Sequence, residues 1–454
     1  MSLAAVEQSP AAVTRTLAER ASALCFEDLN ADAVAAAKHC VLDWFAVTLA
    51  GAAEPLTEIL ATEAAEDGGD EQASLVGRGG RVSVPQAALI NGAAGHALDY
   101  DDVNAAMGGH PTAPVLPAVL ALAEHRRLSG RELLCAFVAG YETECRIGDL
   151  VGRSHYEAGF HATATVGALG AAAGVGRLIG LDGGQMATAF GLAATQAAGL
   201  KSMFGTMAKP LHAGKAAQNG LFAARLAARG FTACTEVLEV DQGFAAALAG
   251  ALDADKALAE PAGGFHVRNN LFKFHAACYL THSPIEAIRS LRDAHGIEPA
   301  AVEQVTLVVA PGHLRVCNIP APTTGLECKF SLRQTAAFAL AGVDTARLDS
   351  YSDENARRPD LVELRQRVTV DPSGQAERHG ATVRIALGDG RRLEATSDVG
   401  VPAADLAAQG ARLEAKFLSL AEPVLGAERA AALAAAIDRL DQADDVAALA
   451  ALAR

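Results

Sequence analysis

The chain has 454 residues, 51% of them hydrophobic and 20% charged, with a formal net charge of −15. That length exceeds what one hydrophobic core usually holds, so two domains are expected, and the composition excludes a largely disordered chain. The acidic balance excludes nucleic acid and an anionic membrane as partners, since both select a basic face, yet it permits a locally basic pocket for a small anion.

Aromatic residues are only 5% and alanine, glycine and leucine dominate, which favours helices that approach closely. The first ten residues, M-S-L-A-A-V-E-Q-S-P, lack a basic start and an apolar stretch, so no signal peptide is expected. Apolar runs are interrupted by Thr, Gly or a charge before the roughly 18 residues that a membrane span needs. The eight cysteines contain no C-x-x-C pair and read as reduced thiols of a cytoplasmic protein.

Apolar periodicity predicts a helix over residues 11–50, in which Asp43 needs a buried partner or a solvent-facing slot. After a turn-rich stretch (66–80) comes a helix over 85–97. The segment from Gly95 to Glu124 then places His96, Asp99, Tyr100, Asp101, Asp102 and His110 within sixteen residues, ahead of an apolar helix. Gly108-Gly109 allows backbone shapes closed to other residues, and Pro111 biases His110 towards an extended conformation. His110 is therefore expected at the bend between a polar loop and a buried helix, where a scaffold fixes a side chain but leaves one face open. A helix over 131–147 follows, in which Glu142 and Glu144 are expected to cap or to pair with basic neighbours.

Residues 159–181 have small side chains at helical spacing. Gly174, Gly176 and Gly180 miss the dinucleotide-loop spacing by one residue and follow no β-branched strand, so that reading is rejected. His161 begins this helix, where the amide field would keep an imidazole neutral. Next, Lys201, Lys209 and Lys215 form the densest positive group near the histidines, and Lys209, before Pro210, is expected in an extended turn. Lysines at such junctions suit a carboxylate, and no P-loop pattern is present.

Composition shifts at 262–270. Beyond it a helix over 284–293, a strand over 303–310, a helix over 328–340 and three further strands are predicted, the last two joined by Gly388-Asp389-Gly390. Residues 403–454 are helical and alanine-rich again. The fold class is therefore mainly α. A large all-helical domain is formed by both chain ends (1–267 and 403–454), with a smaller α+β lid domain (268–402).

In their order along the chain, H-A-L-D-Y-D-D with H-P-T-A-P-V-L-P-A (96–118), G-F-H-A-T (159–163), K-P-L-H-A-G-K-A-A (209–217), K-F-x-x-x-C-x-x-T-H (273–282), K-F-S-L (329–332) and Lys416-Phe417 resemble the MmgE/PrpD family. That family includes 2-methylcitrate dehydratase, cis-aconitate decarboxylase and iminodisuccinate epimerase. The resemblance implies a cleft, a homodimer and a small di- or tricarboxylate substrate. It places cleft residues at Asp99, His110, His161, Lys209 and His282, with Lys273 a further candidate. Val103 and Gln334 stand where decarboxylase-like relatives carry threonine and tyrosine.

Chemistry at carbon next to a carboxylate needs a base with a near-neutral pKa and groups that hold the carboxylates and the developing negative charge. His110 and His161 are expected as the acid/base pair, Asp99 as orienter or proton carrier, and Lys209, His282 and Lys273 as carboxylate ligands. No metal and no cofactor are expected, since no H-E-x-x-H or three-ligand spacing occurs. The leading reading is a metal-independent hydro-lyase resembling 2-methylcitrate dehydratase. The alternatives are an epimerase of an iminodisuccinate-like acid and a cis-aconitate-type decarboxylase. More remote are a magnesium-dependent isoprenoid synthase, suggested by D-Y-D-D-V-N but opposed by the low aromatic content, and a non-catalytic helical scaffold.

Overall fold

The computed structural model describes residues 12–250, 252–373 and 379–454. The protein is mainly α, with nineteen α-helices and six strands among those residues. It divides into two compact units. One contains the chain up to Asn270 together with Asp405–Arg454, and the other runs from Leu271 to Ala404.

In the first unit, helices begin where the sequence supplies an acceptor for the unpaired amides of a first turn. Asn30 accepts from the Ala33 amide at 2.8 Å ahead of the Ala31–Gly51 helix, and Ser129 with Glu132 forms a capping box ahead of Gly130–Glu157. The latter helix outruns the expected 131–147 because its buried face continues until Gly152 (φ 57°, ψ −160°) interrupts the helical path.

Small residues let the helices touch backbone to backbone. A Cβ at Gly220, in the Ala208–Ala228 helix, would lie 2.5 Å from the Ala172 nitrogen of the Ala162–Ile179 helix. One at Gly214 would lie 2.1 Å from the Leu89 carbonyl oxygen in the Val84–His96 helix. Neither contact can relax without moving a helix. Gly214→Ala is expected to destabilise the protein by about 1–3 kcal/mol in urea unfolding, the usual range for overpacking a close-packed interior. An unchanged midpoint would refute the close approach.

Two helices, Ala31–Gly51 and Ala162–Ile179, are long and apolar enough to cross a membrane, contrary to the expectation that every apolar run is cut short. Both lie largely inside the protein, with 72% and 83% of their most apolar windows buried. They are core helices, and the first carries the buried Asp43.

Glu142 and Glu144 are both buried in mid-helix. Glu142 meets the expectation, with a first-turn amide of the short His266–Asn269 helix and the nearby Arg146 as its partners, whereas Glu144 departs from it. Glu142 accepts the Val267 amide at 3.1 Å, and burial pushes its carboxyl up to about 8. Glu144 lies beside Gly170, and neither of its oxygens has a hydrogen-bond partner among the described residues. Burial holds its carboxyl well above the usual range.

In the second unit a four-stranded sheet has the order Val368–Asp371, Val302–Val309, Gly380–Leu387, Arg392–Asp398. The first pair is parallel and the others are antiparallel. Its core includes Val305, Leu307, Val383 and Ile385 from the strands, with Ile285, Ile288, Ala336 and Leu340 from the His282–His295 and Leu332–Ala341 helices. The expected helix over 328–340 is two pieces, Gly325–Cys328 and Leu332–Ala341. The break falls at Ser331, whose hydroxyl accepts the Gln334 amide and restarts the helix as its cap.

Candidate active site

The polar loop after the Val84–His96 helix is held from several directions. Asp99 takes a left-handed conformation (φ 51°), uncommon for a residue with a side chain and maintained only where the surroundings fix it. Lys416, from the Leu406–Leu425 helix, donates to the Tyr100 carbonyl at 2.9 Å and to Asp43 at 2.6 Å, with its ammonium 3.9 Å from the centre of the Tyr100 ring. This is the buried partner that Asp43 requires. Asp102 accepts from the Thr112 hydroxyl at 2.5 Å and from Asn270 at 2.8 Å. Burial, then the nearby Asp43, pushes the Asp102 carboxyl up to about 7.

Gly109 brings the loop's end against the next helix. A Cβ there would lie 2.9 Å from the Thr163 hydroxyl, which accepts the His110 amide at 3.1 Å. His110 thus sits just before the Thr112–Arg126 helix. His161 occupies the cap position of the Ala162–Ile179 helix, its amide bonded to the Gly199 carbonyl at 3.0 Å.

These elements bring Asp99, His110, His161 and Lys209 together. Lys209 donates to Asp99 at 2.7 Å. His110 lies between two carboxylates, its Nε2 3.5 Å from Asp99 and its Nδ1 3.1 Å from Asp101. Two groups that the sequence reading quoted without a role complete the cluster. His96 donates its Nδ1–H to Asp101 at 2.8 Å, and its ring lies 4.5 Å from that of His110 and 5.6 Å from that of His161. The signal for His96 and Asp101 was their separation of five residues across a helix end.

Burial sets the charge states. It lowers His96 to about 4 against the opposing pull of Asp101. His161 is lowered much further, by burial first and then by His96, Lys209, His110 and His212 around it. Burial opposes ionisation of Asp101, but the imidazoles of His110 and His96 outweigh it and hold this carboxyl well below the usual range.

The donor atoms of His96, Asp99, Asp101 and His110 lie within 4.8 Å of one another, a spacing that would admit a divalent ion. The Lys209 ammonium is already on Asp99 and supplies a cation there, while His96 gives its Nδ1–H to Asp101 and keeps a buried Nε2 without a hydrogen-bond partner among the described residues.

Lysines 201 and 215 are not in the cluster. Lys201 donates to the Tyr156 carbonyl and Lys215 pairs with Gln218. Lys209 lies inside the first turn of the Ala208–Ala228 helix and not in an extended turn, since proline is tolerated in a first turn. A cavity of about 310 Å³ lined by Arg20, Glu142, Arg146 and Glu260 lies elsewhere in this unit and contains none of the cluster residues.

His282 and Lys273 belong to the second unit, and both are buried. His282 bonds to the Ala277 carbonyl at 3.2 Å, and burial, then His275 and Lys273, holds its imidazole well below its usual pKa. Their role as carboxylate ligands rests on the family resemblance alone. Gln334, also buried there, accepts from Arg365 at 2.8 Å.

Cis-aconitate decarboxylase of Aspergillus terreus is 29% identical to this chain over 415 residues, 84% of each protein. A cis-aconitate decarboxylase-like protein of Aspergillus oryzae is 33% identical over 51% of this chain and 50% of its own length. The human cis-aconitate decarboxylase is 30% identical over 64% and 62%. Residues 15–256 match the MmgE/PrpD N-terminal domain and residues 275–442 the MmgE/PrpD C-terminal domain. The second match runs past Asp405 into helices that fold with the first unit. With both family domains matched in order across most of its length, the chain belongs to the MmgE/PrpD family.

Proposed function

We propose that the protein is a metal-independent lyase that performs acid/base chemistry at carbon next to a carboxylate of a small di- or tricarboxylate, as a homodimer. The observation that carries this reading is the group of buried His96 and His161 with the partly buried His110, set beside the Lys209–Asp99 pair. A neutral imidazole takes the proton from carbon. Lys209 exchanges its contact with Asp99 for the substrate carboxylate, where its charge offsets the growing enediolate. The second imidazole protonates the departing hydroxyl, so that water and an alkene leave.

Decarboxylation is the second reading, favoured by relatives that bear that name. There the carbon–carbon bond breaks, its electron pair stays on the alkene carbon, and an imidazole N–H protonates it. Against it, Val103 offers no hydroxyl, and Gln334, which already accepts from Arg365, offers no phenol.

The test is incubation with a panel of such acids in deuterium oxide, read by proton NMR with and without EDTA. Loss of water or of carbon dioxide, each insensitive to EDTA, is expected to separate the two readings. Turnover of none, or activity that EDTA abolishes and a divalent ion restores, would overturn the proposal. The depressed His161 pKa also fixes a sign. A base that stays neutral to low pH keeps working there, so the acid limb of kcat/KM is expected below the ordinary imidazole value of 6.5. A limb above 6.5 would exclude His161 as the base.

A further inference from the structure

The Ala208–Ala228 helix contributes more to the cluster than Lys209. One turn on, His212 places its Nδ1 3.1 Å from the Nδ1 of His161. The approach is enforced by the backbone. Gly199, whose carbonyl takes the His161 amide, lies so close that a Cβ there would be 2.4 Å from Ala164 and 3.4 Å from the His212 ring. His161 is buried between His96 and the edge of Phe204, whereas His212 is only half-buried. The Nε2 of His212 has no protein partner among the described residues.

A hydrogen bond between two Nδ1 atoms requires that one of them carry a hydrogen and the other not. Two neutral rings therefore have complementary tautomers. When His161 holds Nδ1–H, its Nε2 is a bare base and His212 carries its proton on Nε2. When His212 holds Nδ1–H, His161 carries Nε2–H and is an acid.

We propose that His161 and His212 form a proton relay, in which His212 sets the tautomer of His161 and carries its proton to and from solvent. When His161 Nε2 accepts a proton from the substrate, its Nδ1–H passes to His212 Nδ1, and the His212 Nε2–H passes to water. One proton has left the substrate, and both rings end neutral in the opposite tautomers. Run in reverse, water protonates His212 Nε2, His212 Nδ1–H moves to His161 Nδ1, and His161 Nε2–H protonates a carbanion. No charge is left on the buried ring in either direction, which suits its surroundings. The charged and titratable groups facing it are His96, His110, Lys209 and His212, and none of them would stabilise an imidazolium there.

The relay rests on the lyase reading for its substrate but not for its geometry, so two measurements separate them. In the first, His212→Ala and His212→Gln are assayed on the acid that wild type turns over. A kcat at least tenfold lower with KM within twofold is expected for both, and added imidazole should restore His212→Ala in proportion to its concentration. A purely structural role predicts that His212→Gln, which still offers a donor and an acceptor, works like wild type and that imidazole does nothing; that result overturns the relay. In the second, ¹⁵N NMR of the histidine rings reads the tautomers without turnover. Wild type should show His161 and His212 in complementary tautomers, exchanging together, and His212→Gln should abolish that exchange. Independent tautomers overturn the relay even if the enzyme proves active. Complementary tautomers in a protein that turns over no acid overturn the lyase reading alone.

Discussion

Replacing His161 or His110 with alanine is expected to lower turnover by about 10²–10⁴-fold while leaving the fold intact. On the proposed reading both rings act at the reacting carbon, and both lie in the cluster that contains the Lys209–Asp99 pair. The two losses should differ in kind. His110 lies between Asp99 and Asp101, so its removal also frees Lys209 and Asp99 to pair undisturbed, which should weaken substrate binding as well. His161 touches no carboxylate in the cluster, and its loss should fall on kcat. Circular dichroism and unfolding midpoints check the fold, and steady-state kinetics check the split. Near-wild-type turnover in both purified variants would end the assignment.

The largest effect on stability is expected at Lys416. Its ammonium is 2.6 Å from Asp43, and the two side chains are 3% and 1% exposed. Removing one member of a buried pair strands the other charge in a poor solvent, which typically costs about 3–5 kcal/mol. Lys416→Met should therefore consume a large part of the 5–15 kcal/mol or so that holds a typical protein folded. The double variant Asp43→Leu/Lys416→Met removes both charges and should recover much of that loss, as urea unfolding would read. If the single and double variants were equally stable, the pair would contribute little. Activity should not recover with stability, because the double variant still lacks the donor to the Tyr100 carbonyl that fixes the loop before Asp101.

Much of this was legible in the sequence where chemistry and spacing coincide. The glycines and prolines around His110 marked the bend, and the buried Asp43 announced a partner without naming it. Lys416 was visible only as part of a motif, because 373 positions separate it from Asp43 and no local pattern reports such a contact. His96 and His212 were passed over for a different reason. A histidine at a helix end or within an alanine-rich helix looks like an ordinary core residue until its neighbours are seen, the His110 ring 4.5 Å from that of His96 and the His161 Nδ1 3.1 Å from that of His212. Glu144 was misread because helix position alone does not reveal that it lies inside the unit without a hydrogen-bond partner among the described residues. The helix break at Ser331 was a capping signal hidden in an otherwise apolar run.

The fastening of Tyr100 by Lys416 has a consequence for biosynthesis. The nascent chain exposes the histidine-bearing loop more than 300 positions before the lysine that secures it leaves the ribosome, and the whole β-sheet is translated in between. Arrested chains ending before Lys416 should already contain most of the helices of the first unit, with this loop still open to protease. Synthesis through the Leu406–Leu425 segment is then the step at which the loop becomes protected.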